Sequence, residues 1–584
     1  AIADDGTGAV RVVWHNRYPS FAKALADSRA ALYGAPAPSP RGEMRIENPE
    51  TEFIAEGEEG DPVHTGRIVG VYHRAGEVPS RLWRTLARRA LDRLDPAFAA
   101  GAGSPEAILR ALEDAHFPPA PEAAEAARRV LAGEELLVLA AGIEDKRARL
   151  HARRGLVLAA ADSLRERARR AVPFSLTNAQ RRAVREIAAD LGSGRAMARL
   201  LQGDVGSGKT VVAGLALLLA AGNRAQGALM APTEILAEQH AESLASWLTA
   251  AGVRLALLTG RVRGAARRKL LEELAAGRID VLVGTHALAE APVRFRRLGL
   301  VVVDEQHRFG VAHRARLFQK GDAPHVLVMT ATPIPRSLAW AIYGELDVSI
   351  LDEKPPGRGR IVTRVREEES RARVYRFAGE RVAAGERVYV VVPAIEEGER
   401  EVAATRATAD RIGAFLPSVR VGVLHGRMPP AERTSVLREF AAGRTPVLVS
   451  TTVVEVGVDV PEATLMVVEN AEVFGLAQLH QLRGRVGRGR RPSWCALIAG
   501  KDAAPDARAR LAVLEQTSDG FVIAEKDLEA RGPGDLLGSR QSGLPAMRVA
   551  DPVRDLARLG EARRRVVSLR EAGQSVSSDL FGFP

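Results

Sequence analysis

Leu201-Gln202-Gly203-Asp204-Val205-Gly206-Ser207-Gly208-Lys209-Thr210 is the stretch on which the reading of this chain turns. Four residues separate Gly203 from Gly208 and Lys-Thr follows, the spacing of a phosphate-cradling loop. Glycines let such a backbone curl, so that Gly203, Gly206 and Gly208 turn N–H groups toward phosphate oxygens. A helix beginning here points its positive end at the anion. Lys209 then reaches the β- and γ-phosphates, and the Thr210 hydroxyl ligates Mg²⁺. The flanks agree. Residues 197–201 read as a short strand, and 210–221 as an apolar, alanine-rich helix.

Working outward, strands alternate with helices. Gly227-Ala228-Leu229-Met230 leads into Ala231-Pro232-Thr233, and 253–258 into Thr259-Gly260. Ile279-Asp280-Val281-Leu282-Val283 ends at Gly284-Thr285-His286, and 325–329 at Thr330-Ala331-Thr332. Helices are expected over 234–248 and 270–277. Each strand ends in small or polar residues, the pattern of an open parallel sheet with its site beyond the carboxyl ends. Residues 298–303 run straight into Asp304-Glu305-Gln306-His307. Two carboxylates after an all-apolar strand are costly unless paired or metal-bound. Asp304 stands where a Mg²⁺-holding carboxylate belongs, and Glu305 is placed to orient the attacking water; the plainer alternative is a capped strand end. Gln306 and His307 sense the γ-phosphate or pass its loss to Thr330 and Thr332. Upstream of the loop, residues 176–187 form a helix capped by Ser175 or Thr177. There Gln180 offers an amide to adenine, a donor and an acceptor together, or is simply a surface residue.

A second parallel α/β region follows. Residues 387–392, 419–424, 446–450 and 465–468 are apolar strands, and no second phosphate loop accompanies them. It does carry Gln481-Leu482-Arg483-Gly484-Arg485-Val486-Gly487-Arg488. Arg485 and Arg488, three residues apart, share one side of a helical turn. They enter the first region's site as arginine fingers, or form a basic loop for any polyanion.

Composition sets wider limits. The 584 residues are 46% hydrophobic and carry a formal charge of +11, enough for several cored domains and consistent with a polyanionic partner. The single cysteine, Cys495, excludes a disulfide framework or thiolate cluster built within the chain. No uncharged apolar run approaches the ~18 residues of a membrane span, and no signal-peptide pattern follows Ala1. Starting on Ala, the N-terminus is expected to be trimmed. Residues 1–95 show scattered strand character at 9–14, 42–48 and 66–72, with Pro36, Pro38 and Pro40 as punctuation. Trp14, Tyr18 and Tyr72 are candidates for base stacking; each alone reads first as a core or edge aromatic of a small barrel. Helical spacing over 82–94, 105–115 and 121–147, the last continuing toward 169, marks a connector.

The ordered array from Gln180 to Arg488 resembles superfamily-two helicases. Three stretches bring it closer to the RecG family of branched-DNA helicases: Asp304-Glu305-Gln306-His307-Arg308-Phe309-Gly310, Met329-Thr330-Ala331-Thr332-Pro333-Ile334-Pro335-Arg336, and Glu455-Val456-Gly457-Val458-Asp459-Val460-Pro461. The transcription-repair coupling translocase and the primosomal helicase share two of them. The resemblance implies two RecA-like parallel-sheet motor domains at 171–360 and 361–500. Before them it implies an OB-like β-barrel wedge at 1–95, short of its first strand, with reduced fork selectivity, and a helical connector at 96–170. After them it implies a helical hairpin and translocation loop at 501–584. By the same resemblance Phe174, Gly457 and Asp459 join the nucleotide site. Thr233, Thr285, His307, Thr330, Thr332 and Gln481 contact or couple to DNA, and Arg531, Arg540 and Gln541 couple closure to duplex movement. One of Trp14, Tyr18 and Tyr72 stacks on bases at the junction. The implied activity is ATP- and Mg²⁺-dependent remodelling of forks and Holliday junctions. The implied setting is a monomer in the bacterial cytoplasm, associated with the nucleoid, off the membrane, with single-strand DNA-binding protein as a partner. The alternatives are a duplex translocase without fork specificity, or an ATP-regulated DNA-binding scaffold. If Arg540 couples, Arg540→Ala keeps DNA-stimulated ATPase better than fork unwinding; equal loss of the two rates removes that role.

Overall fold

Valine- and leucine-rich runs become strands here because branched side chains pack well on a pleated surface, and runs covered on both faces lose the usual polar alternation. Leu298–Asp304 is the clearest case, buried at every position. The computed structural model describes residues 1–584 except 5–8, 16–18, 27–28, 39–43, 55–62, 65–66, 73–78, 96–103, 306–315, 332–343, 358, 394–397, 453–458, 532–546, 552–553 and 574–584. Tyr18, His307, Thr332, Gly457, Arg540 and Gln541 therefore lie outside the described residues, as does the side chain of Arg531. The chain divides into two units, Ile143–Leu544 and Ala1–Gly142 with Pro545–Pro584.

The larger unit holds two wholly parallel sheets. The first has seven strands in the order Asp347–Leu351, Ala198–Gly203, His325–Thr330, Leu298–Asp304, Gln226–Met230, Val281–Gly284, Leu255–Leu258. The strand feeding the phosphate loop and the strand ending in Asp304 are thus separated by one neighbour. The second sheet has six strands, in the order Ile361–Glu367, Ser493–Ala499, Ala463–Val468, Arg387–Val391, Val447–Ser450, Val421–Leu424. Two parallel-sheet domains are as the sequence leads one to expect. The strand Asp347–Leu351 escapes that reading because its middle is polar. Ser349 is buried and takes a hydrogen bond from Arg199 Nη1 at 2.9 Å. The helices Pro505–Gln516 and Gly520–Arg531 follow the second sheet. Asp527 of the second helix accepts from the N–H groups of Leu476 (2.9 Å) and Ala477 (3.3 Å). A carboxylate from another element so caps the helix Leu476–Arg483.

In the smaller unit, Ile2–Asp4, Ala9–Val13, Met44–Glu47 and Pro36–Pro38 form a four-stranded sheet in that order. Arg29–Tyr33 and Glu50–Ile54 form a separate antiparallel pair. Three local expectations are corrected. Residues 67–72 carry no strand, and Pro36–Pro38, read as punctuation, is a short strand: proline fits an edge, where its missing N–H faces away from the ladder. The helix starting at Pro121 ends at His151 instead of running to 169, and Asp162–Ala171 is a helix of its own.

This unit also contains the late helix Leu556–Glu571. Glu135, fully buried, accepts the N–H groups of Arg548 (2.7 Å), Val549 (2.9 Å) and Ala550 (2.7 Å). Arg128 reaches both oxygens of Asp555, at 3.0 and 3.3 Å. Among the described residues no helix is long and apolar enough to cross a membrane. Glu135→Ala strips three N–H donors of their buried acceptor and should cost about 2–3 kcal/mol, read as a lower urea midpoint. Glu135→Gln keeps an acceptor oxygen and should lose less. An unchanged midpoint for Glu135→Ala would remove Glu135 as the anchor.

Candidate nucleotide site

Gly203 ends its strand, and the chain turns through Gly206 (φ +76°) and Gly208 (φ +84°) before the helix Lys209–Gly222. Only glycine takes such angles without steric cost, so the loop's shape follows from its composition. Gln180 braces it from behind. Thr177 caps the helix Asn178–Gly192 in a reciprocal box: its hydroxyl accepts from Gln180 N–H, while Gln180 Oε1 accepts from Thr177 N–H. The Gln180 Nε2 donates to the Ser207 carbonyl at 2.8 Å. Gln180 is buried, and a Cβ on Gly208 would fall 2.2 Å from its Nε2.

A cavity of about 450 Å³ opens over the loop, where the two sheets' carboxyl ends meet. Gly206, Lys209, Thr210, Asp304 and Glu305 line it from the first sheet, and Asp459, Gln481, Arg485 and Arg488 from the second. Lys209 Nζ donates to the carbonyls of Gly203 (2.6 Å) and Asp204 (3.0 Å). Enclosure by protein pulls its ammonium below the ordinary value, against the charges of Glu305, Asp304 and Asp204. Burial pushes the Asp304 carboxyl up, but the hydrogen bond to His240 and the charge of Lys209 outweigh it and hold it below the usual range. His240 Nε2 lies 2.8 Å from Asp304 Oδ2. Glu305 turns the chain just past the strand, at φ +50°, a left-handed value rare outside glycine. Its N–H donates to the Met329 carbonyl at 3.0 Å, and its Oε1 accepts from Ala331 N–H at 3.2 Å. Glu305 is thereby tied to the strand end that carries Thr330. Arg488 pairs with Asp459 at 3.4 Å and donates to the Gly484 carbonyl at 3.1 Å.

Other expected residues stand apart from this cavity. Phe174 is exposed and does not line it. Thr233 caps the helix Glu234–Leu248 through its hydroxyl, and Thr285 and Thr330 are buried at strand ends. In the smaller unit, Trp14 Nε1 donates to Thr51 Oγ1 at 3.0 Å, and its ring meets Phe21 edge-on. Tyr72 stacks on His116, its hydroxyl 2.5 Å from Nδ1. Both aromatics are thus engaged within the unit. The sequence reading missed His240, Lys354, His480 and Arg483. No local pattern marks them, since the acidic partners of His240 and His480 lie 64 and 276 residues away.

The model of the DEAD/DEAH box helicase family matches residues 177–339, and that of the helicase conserved C-terminal domain residues 372–490. A third, for domain 3 (C-terminal) of the ATP-dependent DNA helicase RecG, matches residues 517–579. The chain is 47% identical to RecG of Bacillus subtilis over 475 residues, 81% of this chain and 69% of that one. With RecG of Escherichia coli K12 it shares 41% identity over 594 aligned residues, 97% of this chain and 84% of the relative. A relative from Synechocystis is 44% identical, but the chain spans only 63% of its length. A solved structure of RecG bound to a three-way DNA junction is similar with a TM-score of 0.70 and 38% identity, covering 96% of this chain and 74% of that one. The chain belongs to the RecG family of ATP-dependent DNA helicases.

Proposed function

We propose that this chain hydrolyses ATP to drive duplex DNA and so remodels branched DNA, forks and junctions alike. The observation that carries the reading is the shared cavity. Lys209, Thr210, Asp304 and Glu305 from one sheet face Gln481, Arg485 and Arg488 from the other. Cations on both lobes around one anion-sized space suit a triphosphate whose charge shifts during transfer.

The geometry supports the following roles. Lys209 exchanges its two carbonyl partners for phosphate oxygens. Arg485 and Arg488 face the same charge from the second lobe. Glu305, held by Ala331 N–H, orients the water and relays the state of the site to Thr330. The Thr210 hydroxyl and the Asp304 carboxylate form a hard-oxygen pair of the kind that suits Mg²⁺, which takes one or two carboxylates and completes its shell with phosphate and water. When bound, that ion supplies charge neutralisation between the phosphates, and His240 fixes the carboxylate that holds it. One amide hydrogen and one oxygen lone pair of Gln180 remain for adenine, and Phe174 is exposed nearby in sequence.

DNA is gripped chiefly through phosphates, with Gln481 on the cavity wall, Thr233, Thr285 and Thr330 apart from it, and Arg531, Arg540 and Gln541 as the coupling residues. Residues 1–95 act as an OB-like wedge, with the expected five-part division of the chain. The protein works as a monomer on the bacterial nucleoid, with single-strand DNA-binding protein as a partner. The relative solved on a three-way junction supports branched DNA as the substrate.

Two measurements test this. Lys209→Ala should abolish ATP hydrolysis and retain DNA binding. Glu305→Gln should lose about 100-fold in turnover, on the scale of a positioned acid–base group, with ATP still bound; turnover near the wild-type rate in either variant refutes the assignment of that residue. ATPase rates at fixed salt and Mg²⁺ should rank fork and four-way junction above linear duplex, single strand and RNA duplex. Equal stimulation by linear duplex would leave the motor and remove the branched-DNA claim.

A further inference from the structure

Behind the loop lies a second, polar cavity of about 490 Å³, separated from the first by Val205 and lined by Asp204, Lys354, His480 and Arg483 among others. Its wall carries a chain of contacts that crosses between the lobes at His480 and is buried except at Lys354. Asp204 Oδ1 lies 2.6 Å from His480 Nε2, and Asp204 Oδ2 lies 2.8 Å from Lys354 Nζ. His480 Nδ1 lies 2.8 Å from Arg483 Nη2. A guanidinium only donates, so Nδ1 must accept, and the ring proton sits on Nε2, facing Asp204. Arg483 Nη1 continues to the carbonyls of Leu514 (2.9 Å) and Thr517 (3.0 Å). Burial pushes the Asp204 carboxyl up, yet the His480 hydrogen bond and the Lys354 charge hold it well below the usual range.

We propose that His480 is a positioning residue for ATP hydrolysis: by clasping Asp204 it sets one reference point for Lys209 and for Arg488. On one side, the Asp204 carbonyl is a partner of Lys209 Nζ. On the other, Arg488 hangs on the Gly484 carbonyl, one helical turn past His480. The seam between them has no slack. A Cβ on Gly484 would meet Val205 Cβ at 2.9 Å. A single hydrogen bond thus registers the phosphate loop of one lobe against the arginines of the other. His480, Asp204 and Lys354 do not line the nucleotide cavity. Their loss should spare ATP binding and fall on turnover, where charge placement is decided.

The inference rests on the nucleotide reading above, and the controls keep the two apart. The experiment measures kcat and KM for ATP on the full chain with forked duplex, beside thermal midpoints. His480→Phe should lower kcat about 10-fold or more while KM moves less than about 3-fold. His480→Gln offers an amide N–H and a carbonyl in place of the two ring nitrogens and should restore most of kcat. Asp204→Asn, a near-isosteric change that keeps the loop's shape, should resemble His480→Phe, and the double variant should be no worse than the poorer single. A wild-type kcat in His480→Phe, a loss seen mainly in KM, additive losses, or no recovery in His480→Gln would each overturn the positioning role. A wild-type protein without ATPase, or hydrolysis persisting in Lys209→Ala, would overturn the nucleotide reading and this inference with it.

Discussion

Enclosed charge must be answered by enclosed charge. At the carboxyl ends of the two sheets, Lys209, Arg485 and Arg488 gather close to Asp304 and Glu305, and Asp204 stands just behind. Leaving one member of such a set without its partner costs far more than the whole set contributes to stability. The arrangement is therefore poor as a staple and good as a device that responds to a ligand. A triphosphate changes the charge balance of both lobes at once. The parallel sheets hold these groups at fixed depth: central strands such as Leu298–Asp304 and Ala463–Val468 are buried at every position.

What could be read from the sequence alone follows from how local the chemistry is. The phosphate loop is legible because backbone curvature, lysine and threonine have to be contiguous. Asp304 and Glu305 are legible because an all-apolar strand breaks into two acids. The arginine pair is legible as a basic run, but not from helical spacing: the helix ends at Arg483, and Gly487 (φ +71°) turns the chain between Arg485 and Arg488. Gln180 was half legible: Thr177 and Gln180 stand at capping-box spacing, yet the hydrogen bond from Gln180 to Ser207 depends on a loop 27 residues on. His240 and His480 were not legible at all, since their meaning lies in partners brought from another element. Strands with polar middles, such as Asp347–Leu351, also escaped, because Ser349 is satisfied only by Arg199 and Glu186 in the fold. The expected strand at 66–72 failed for the converse reason. Apolar residues there supply a pattern without a pairing partner among the described residues.

The helix Leu476–Arg483 is fastened at both ends by the helices that follow the second sheet. Asp527 caps its start, and Arg483 at its end binds the carbonyls of Leu514 and Thr517. Displacing that pair of helices without disturbing Gln481, Arg485 and Arg488 would break buried hydrogen bonds at both ends. Such fastening turns a small rotation of one element into movement of its neighbours, because packed contacts have discrete arrangements and not a continuum.

The way Glu135 and Arg128 hold residues 548–550 and Asp555 has a consequence for how the chain is born. Residues 1–142 leave the ribosome ahead of the larger unit, but their own unit is finished only by residues from 545 on. At roughly 5–20 residues per second, translation of the intervening stretch takes on the order of 20–80 s. During that interval the larger unit can fold to completion while the earlier-made segment waits, with the buried face of its helix uncovered. The order of synthesis is thus the reverse of the order of completion. The nascent chain's exposure to chaperones and proteases should centre on residues 1–142, not on the later-made larger unit.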